Sequence, residues 1–209
     1  MAEKKISLKA IKIALLGDTT VGKTAICNAL MNLEFTPDML STIGSDKLET
    51  KFVLKNGNEI KLILWDTAGQ ERFRSMALQA LKIAQGFVLV FDVTKRSSFD
   101  NISQWLQQIK DQSQNPSLVL FGNKADLEKD KWEVTTEEAK NYAHTKGLTY
   151  FETSAKTRQG INDGFDYIVN ETYNKVEGIK DKNFKLGEEV EEKTGCFGKK
   201  KSKKNKKKN

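Results

Sequence analysis

Short apolar runs alternating with amphipathic stretches predict an α/β fold: a mostly parallel six-stranded sheet with one antiparallel hairpin strand and helices on both faces. Two of the runs, Gly86–Asp92 and Ser117–Asn123, are apolar almost throughout, as expected of parallel strands buried on both faces. Asn56-Gly57, between two alternating segments, marks a tight hairpin turn. At 209 residues the chain suits one such domain plus appendages.

The first strand is Ala10–Leu16, followed by a glycine-containing loop and a helical stretch over 23–32. Residues 33–44 are polar, carry Pro37 and read as a long loop; loops of this length within compact domains are usually functional. The hairpin pairs 47–54 with 59–65 across the turn 55–58. Alternation puts Leu48, Phe52 and Leu54 on the core face with Ile60, Leu62 and Leu64. Ser45, Lys47, Glu49, Lys51, Ile63 and Trp65 point the other way. Ser97 and Asp100 form a capping pair ahead of Ile102, Trp105, Leu106 and Ile109, and Thr135 with Glu138 repeats the pattern. Residues 149–151 are the last, shorter strand, and Phe165, Ile168, Val169 and Tyr173 form one helical stripe. There is no internal repeat. The expected division is an N-terminal extension over 1–7, a folded domain over 8–176, and a flexible tail over 177–209 with a polybasic end.

The net charge of +7 is concentrated in that tail: residues 195–209 hold eight lysines and no acid, which leaves the rest of the chain at −1. A nucleic-acid reading based on net charge would therefore blame the wrong part of the molecule. The longest apolar run, Phe87 to Phe91, is far short of the ~20 residues needed to span a membrane. No secretory signal or N-terminal acylation pattern is evident. Cys27 and Cys196 lie far apart without metal-ligand spacing, so a reduced, cytoplasmic protein is expected. His144, the only histidine, reads as solvated and excludes a His-based triad or zinc site.

Three loops carry chemistry. Gly17-Asp18-Thr19-Thr20-Val21-Gly22-Lys23-Thr24 matches GxxxxGK[ST] in the required setting, between a strand and a helix. Backbone N–H groups of such a loop, with the helix N-terminus through Ala25, cradle anionic phosphate oxygens. Lys23 reaches the outer phosphates and the Thr24 hydroxyl ligates Mg²⁺. Asp66, at the C-terminal end of a strand, stands where it can hold Mg²⁺ through a water; Gly69 can bring its N–H to the terminal phosphate and Gln70 can orient a water. In Asn123-Lys124-Ala125-Asp126 the Asp126 carboxylate can accept two hydrogen bonds from guanine, which adenine cannot donate. Asn123 and Lys124 brace that loop and cover the base. Ser154, Ala155 and Lys156 offer backbone N–H to the guanine oxygen.

These segments, in this order, resemble the Ras superfamily of small GTP-binding proteins over about residues 8–176. Ser41-Thr42-Ile43-Gly44, the run from Trp65 to Ser75 and Glu152-Thr153-Ser154-Ala155-Lys156 are most similar to the Rab branch, which regulates vesicle traffic. The resemblance implies the P-loop NTPase fold, GTP or GDP as ligand, Phe35 beside the base and Thr42 as a second Mg²⁺ ligand. Their spacing of twelve and nineteen residues after Lys23 agrees with the family. It further implies slow GTP hydrolysis with Lys23, Gly69 and Gln70 as the catalytic groups. The partners implied are an exchange factor, a GTPase-activating protein and effectors. A GTP-binding scaffold with little hydrolysis is the alternative, and a P-loop ATPase would have no use for Asp126.

The chain departs from that pattern in three places. Thr19 and Thr20 fill positions that are usually small, which restricts the loop. Ser45-Asp46-Lys47 and Ala80-Leu81 replace the branch's customary Val-Asp-Phe and aromatic pair, so effector identity does not carry over. The branch ends in prenylated cysteines, whereas Cys196 lies thirteen residues before the last residue. The lysines there favour an anionic membrane surface, engaged through residues 196–208, on the cytosolic face of a membrane. A merely solvated end and nuclear import are the other readings. Nucleic acid is the poorer partner, because the tail offers one aromatic, Phe197, and no arginine.

Overall fold

The computed structural model describes residues 8–35, 45–67 and 74–194, with side chains placed through residue 178 except at 45–46 and 74–78. It is built on a six-stranded sheet of order β2-β3-β1-β4-β5-β6. The strands are β1 (Ala10–Leu16), β2 (Ser45–Val53), β3 (Glu59–Thr67), β4 (Gly86–Asp92), β5 (Ser117–Asn123) and β6 (Thr149–Glu152). Only β2 runs antiparallel, paired with β3, while β1 pairs in parallel with both β3 and β4. From β1 the chain passes to β2 at one edge of the sheet, and from β3 it crosses to β4 on the other side of β1, which makes the C-terminal end of β1 a topological switch point where ligands of open α/β sheets bind.

The helices are α1 (Lys23–Leu30), α2 (Arg74–Ile83), α3 (Arg96–Asp100), α4 (Ile102–Gln112), α5 (Thr136–Lys146) and α6 (Ile161–Thr194). Continuous burial of β4 and near-continuous burial of β5 agree with their apolar runs. Phe87, Phe91, Phe121 and Phe165 are the largest fully buried side chains, and Phe121 meets Phe165 edge-on with ring centroids 5.9 Å apart. Such aromatic pairs contribute about 0.5–1.5 kcal/mol beyond their buried area. The hairpin register places Leu48 opposite Leu64 and Phe52 opposite Ile60, as alternation requires. Ile63, expected on the outer face, is nonetheless buried, because β3 is an interior strand contacted by helices.

Two expectations are corrected. Ser97 and Asp100 do not cap a helix: the backbone turns twice, with Lys95 at the N-cap of α3 and Asn101 at that of α4. Ser98 takes the polar role instead, its hydroxyl accepting from the Asp92 N–H at 3.0 Å. Thr135 does cap α5, accepting from the Glu138 N–H at 3.2 Å. The second correction concerns α6, whose helical backbone continues past 176 to Thr194. Glu and Lys, which abound there, are good helix formers even where no apolar stripe persists. The chain forms two compact units, Met1–Tyr173 and Asn174–Asn209, the first containing the sheet. Among the described residues no helix is long and apolar enough to cross a membrane.

Candidate nucleotide-binding site

The loop after β1 is shaped by two glycines. Gly17 has φ +147°, and a Cβ there would lie 2.1 Å from the Val90 carbonyl oxygen of β4. Gly22 has φ +97°, and a Cβ would meet the Asn123 amide nitrogen at 2.3 Å. Between them Thr20 adopts φ 63°, a left-handed conformation that is unfavourable for a β-branched residue and persists only where surrounding structure enforces it. Gly22 makes no side-chain cap for α1, and the first turn of α1 holds no acid. The positive end of that helix is therefore left for an anion.

Lys23 is only 6% exposed. Its Nζ donates to the carbonyls of Gly17 at 2.8 Å and Asp18 at 2.7 Å. Burial pulls its pKa down to about 8, against the opposing pull of Asp66, Asp18 and Cys27. Such an ammonium is short of negative charge, and phosphate oxygens supply it. Thr24 Oγ1 donates to Asp66 Oδ2 at 2.5 Å, joining the start of α1 to the end of β3. Asp66 is aligned with Leu15, the neighbour of the loop's first residues, and the adjacent Thr67 hydroxyl donates to the Leu15 carbonyl at 2.7 Å. A hydroxyl and a carboxylate converging there are hard oxygen donors, the kind Mg²⁺ takes in small number alongside phosphate oxygens. The residues thus fit the metal.

The base side is assembled around Asn123, which is 1% exposed. Its amide nitrogen donates to the Val21 carbonyl at 2.8 Å and its oxygen accepts from the Ala155 N–H at 3.2 Å, so one side chain joins all three of the loops after β1, β5 and β6. The Ala155 N–H, expected to serve the guanine oxygen, is thus already engaged within the protein. Asp126 Oδ1 accepts from the Ser154 hydroxyl at 2.6 Å, which in turn accepts from the Thr157 N–H. Lys124, at φ 67°, pairs with Asp92 at 2.5 Å. Lys156 is exposed. Phe35 is 41% exposed at the end of the stretch after α1. That stretch is tied to the base side by Arg158, which donates to Asn32 Oδ1 and the Leu33 carbonyl. Thr42, Gly69, Gln70 and the tail over 196–208 lie outside the described residues.

Asp92, Asn101, Trp105 and Trp132 escaped the sequence reading. Asp92 had a signal, since it ends β4 as Asp66 nearly ends β3. Trp105 packs partly against the core and also donates its indole N–H to Asp18 Oδ1 at 3.1 Å. Trp132 donates to the Leu127 carbonyl and lies under the Lys129 ammonium, steadying the segment after Asp126. His144 is exposed, as expected. Ala80 and Leu81 are fully buried, while Lys47 is exposed, opposite Trp65 in the register and paired with Glu49 at 2.6 Å.

Residues 12–174 match the model of the Ras family. Among similar proteins, the Ras-related protein Rab-27B of Homo sapiens is 38% identical over 183 residues, covering 82% of this chain and 84% of that protein. The Ras-related protein Rab11A of Lotus japonicus is 38% identical over 166 residues, covering 79% and 73%. The Ras-related protein RAB1BV of Beta vulgaris is 40% identical over 160 residues, covering 76% and 74%. With a family match over most of the folded chain and relatives of this identity and coverage, the chain belongs to the Ras family of small GTPases, which bind GTP and GDP with Mg²⁺ and hydrolyse GTP to GDP.

Proposed function

We propose that this GTPase is a switch in vesicle traffic, with a phosphate cradle over residues 17–25, Mg²⁺ held by Thr24, Thr42 and, through water, Asp66, and guanine read by Asp126. The observation that carries the reading is Asn123, which holds the phosphate loop and both base loops in one hydrogen-bonded unit. Bound Mg²⁺ supplies charge neutralisation on the outer phosphates. Lys23 holds its ammonium against the charge that develops on the transferring phosphoryl group, and the Gly69 N–H donates to the same group. Gln70 orients the attacking water in line with the bond to be broken. Phe35 flanks the base, Asn123 and Lys124 brace the loop that covers it, and Ser154, Ala155 and Lys156 stand at the guanine oxygen. Thr19 and Thr20, as β-branched residues, restrict the backbone freedom of the loop around the phosphates. Loss of the γ-phosphate releases the segments that carry Thr42 and Gln70 and changes the surface seen by partners.

Unassisted hydrolysis by such a site is slow, and an arginine from an activating partner can add roughly 10³–10⁵ in rate. Single-turnover phosphate release is the test. Wild-type protein releases phosphate and Gln70→Leu does so at least about tenfold more slowly; no release from the wild type would leave a nucleotide-binding scaffold. The lysines of residues 196–208 further support peripheral binding to anionic membrane on its cytosolic face, each contributing about 1 kcal/mol near the surface. Binding to phosphatidylserine vesicles should weaken with salt and vanish on truncation after Thr194. Equal binding by the truncated protein would refute the tail's role.

A further inference from the structure

Asp18 has two separate duties. Its backbone carbonyl accepts the Lys23 ammonium at 2.7 Å. Its carboxylate turns to the head of α4, where Oδ2 accepts from Asn101 Nδ2 at 2.8 Å and Oδ1 from Trp105 Nε1 at 3.1 Å. Both donors are more than eighty residues away in sequence. Asn101 occupies the N-cap of α4, where asparagine ordinarily spends its side chain on the helix's own amides. Here it makes no such bond, and its amide is directed to Asp18 instead. Trp105 is half-buried against the core, so its ring is fixed while its N–H points to the loop. The charge is close enough to matter, because Asp18 belongs to the phosphate loop itself, directly after Gly17, and its own carbonyl meets the Lys23 ammonium. An aspartate beside a polyphosphate is a liability unless something holds its charge away.

We propose that Asn101 and Trp105 are positioning residues of the nucleotide site: by taking the Asp18 carboxylate at 2.8 and 3.1 Å they keep its carbonyl on Lys23 and its negative charge off the bound phosphates. The inference rests on the GTP-binding reading of this loop. A carboxylate freed from α4 repels GTP more than GDP, because GTP carries the additional charge of the γ-phosphate. The two nucleotides therefore respond unequally, which a loss of packing alone would not produce.

The test is dissociation of ribose-labelled fluorescent GTP and GDP from the full chain in Mg²⁺ buffer. Trp105→Phe keeps an aromatic ring against the core but removes the pyrrole part of the indole and the donor with it, so an Asp18→Ala background separates the lost bond from the lost packing. Trp105→Phe should release GTP about three- to tenfold faster, and GDP with a smaller change. In an Asp18→Ala background the same substitution should add nothing. Asn101→Asp, which sets two carboxylates together, should accelerate GTP release further. Asp18→Asn with Asn101→Asp restores a donor and an acceptor and should recover most of the loss. GTP release by Trp105→Phe within twofold of wild type would overturn the inference, as would equal acceleration of both nucleotides. So would persistence of the effect without the Asp18 carboxylate, or failure of the exchanged pair to recover. Wild-type protein that held neither nucleotide would overturn the GTP-binding reading itself, a result distinct from normal binding with silent variants.

Discussion

At the phosphate end of the crevice the Lys23 ammonium is buried, and its hydrogen-bond partners among the described residues are the Gly17 and Asp18 carbonyls. At the base end each polar side chain has its partner within the protein: Asp126 in the Ser154 hydroxyl, Asn123 in the Val21 carbonyl and the Ala155 N–H, Lys124 in the Asp92 carboxylate. The first end carries a desolvation cost that an anion removes. The polar groups of the second find most of their partners within the protein, so a base there exchanges one set of hydrogen bonds for another. The contrast assigns affinity chiefly to the phosphates and discrimination chiefly to the base, since a built donor–acceptor pattern penalises the wrong base far more than it rewards the right one.

Removing the charge at the phosphate end is the strongest way to break this contrast. Lys23→Met should weaken GTP and GDP by about a hundredfold or more, the scale of losing a preorganised charged donor to phosphate. The nucleotide-free protein should melt no lower than wild type, because a buried ammonium has been exchanged for an apolar chain of similar length. Thermal melts in EDTA, with nucleotide removed, and equilibrium binding read the two halves separately. A large drop in the melting midpoint would mean that the carbonyl contacts of Lys23 stabilise the empty fold, and that the two ends are alike.

The base end is probed by Asp126→Asn. Its expected signature is a change of preference, with GTP weakened about ten- to a hundredfold and xanthosine triphosphate, which presents an acceptor where guanine has its amino group, gaining. Competition between the two nucleotides gives the ratio directly. Parallel weakening of both would place Asp126 in the scaffold of the loop, bonded to Ser154, rather than on the base.

How much of each end was legible in the sequence follows from how local its causes are. Gly17, Gly22, Lys23 and Thr24 stand in one eight-residue motif whose spacing alone specifies a loop and a helix start. The β4 and β5 runs were legible because strands covered on both faces need no alternation. The contacts that unify the site have no such signature. Asn123 reaches Val21 across 102 positions, and Trp105 reaches Asp18 across 87, so only the folded sheet brings them together. The left-handed Thr20, Lys124 and Arg158 also went unseen, because residues other than glycine adopt that conformation only under tertiary constraint. The helix break at Asn101 was hidden by Ser97 and Asp100, which imitate a capping pair in sequence.

A smaller effect sharpens the same contrast through protons. Burial lowers the Lys23 pKa to about 8, partly offset by Asp66, Asp18 and Cys27. An unfolded chain keeps that lysine near its ordinary value of 10.5. Between those two values the unfolded state binds the extra proton, so stability of the nucleotide-free protein rises with pH across the window and bears the whole penalty below it. Phosphates favour the charged amine, so its pKa rises on binding and the complex takes up a proton when formed above pH 8. Affinity then falls with pH by at most about tenfold per unit. Calorimetric titration of GDP at pH 8.5 in two buffers of different ionisation enthalpy measures the uptake. Asp126→Asn should leave that uptake in place, since its cause lies at the other end of the crevice, while Lys23→Met should remove it. Uptake that survived in Lys23→Met would move the proton to another group, and the phosphate end would lose the buried charge that distinguishes it.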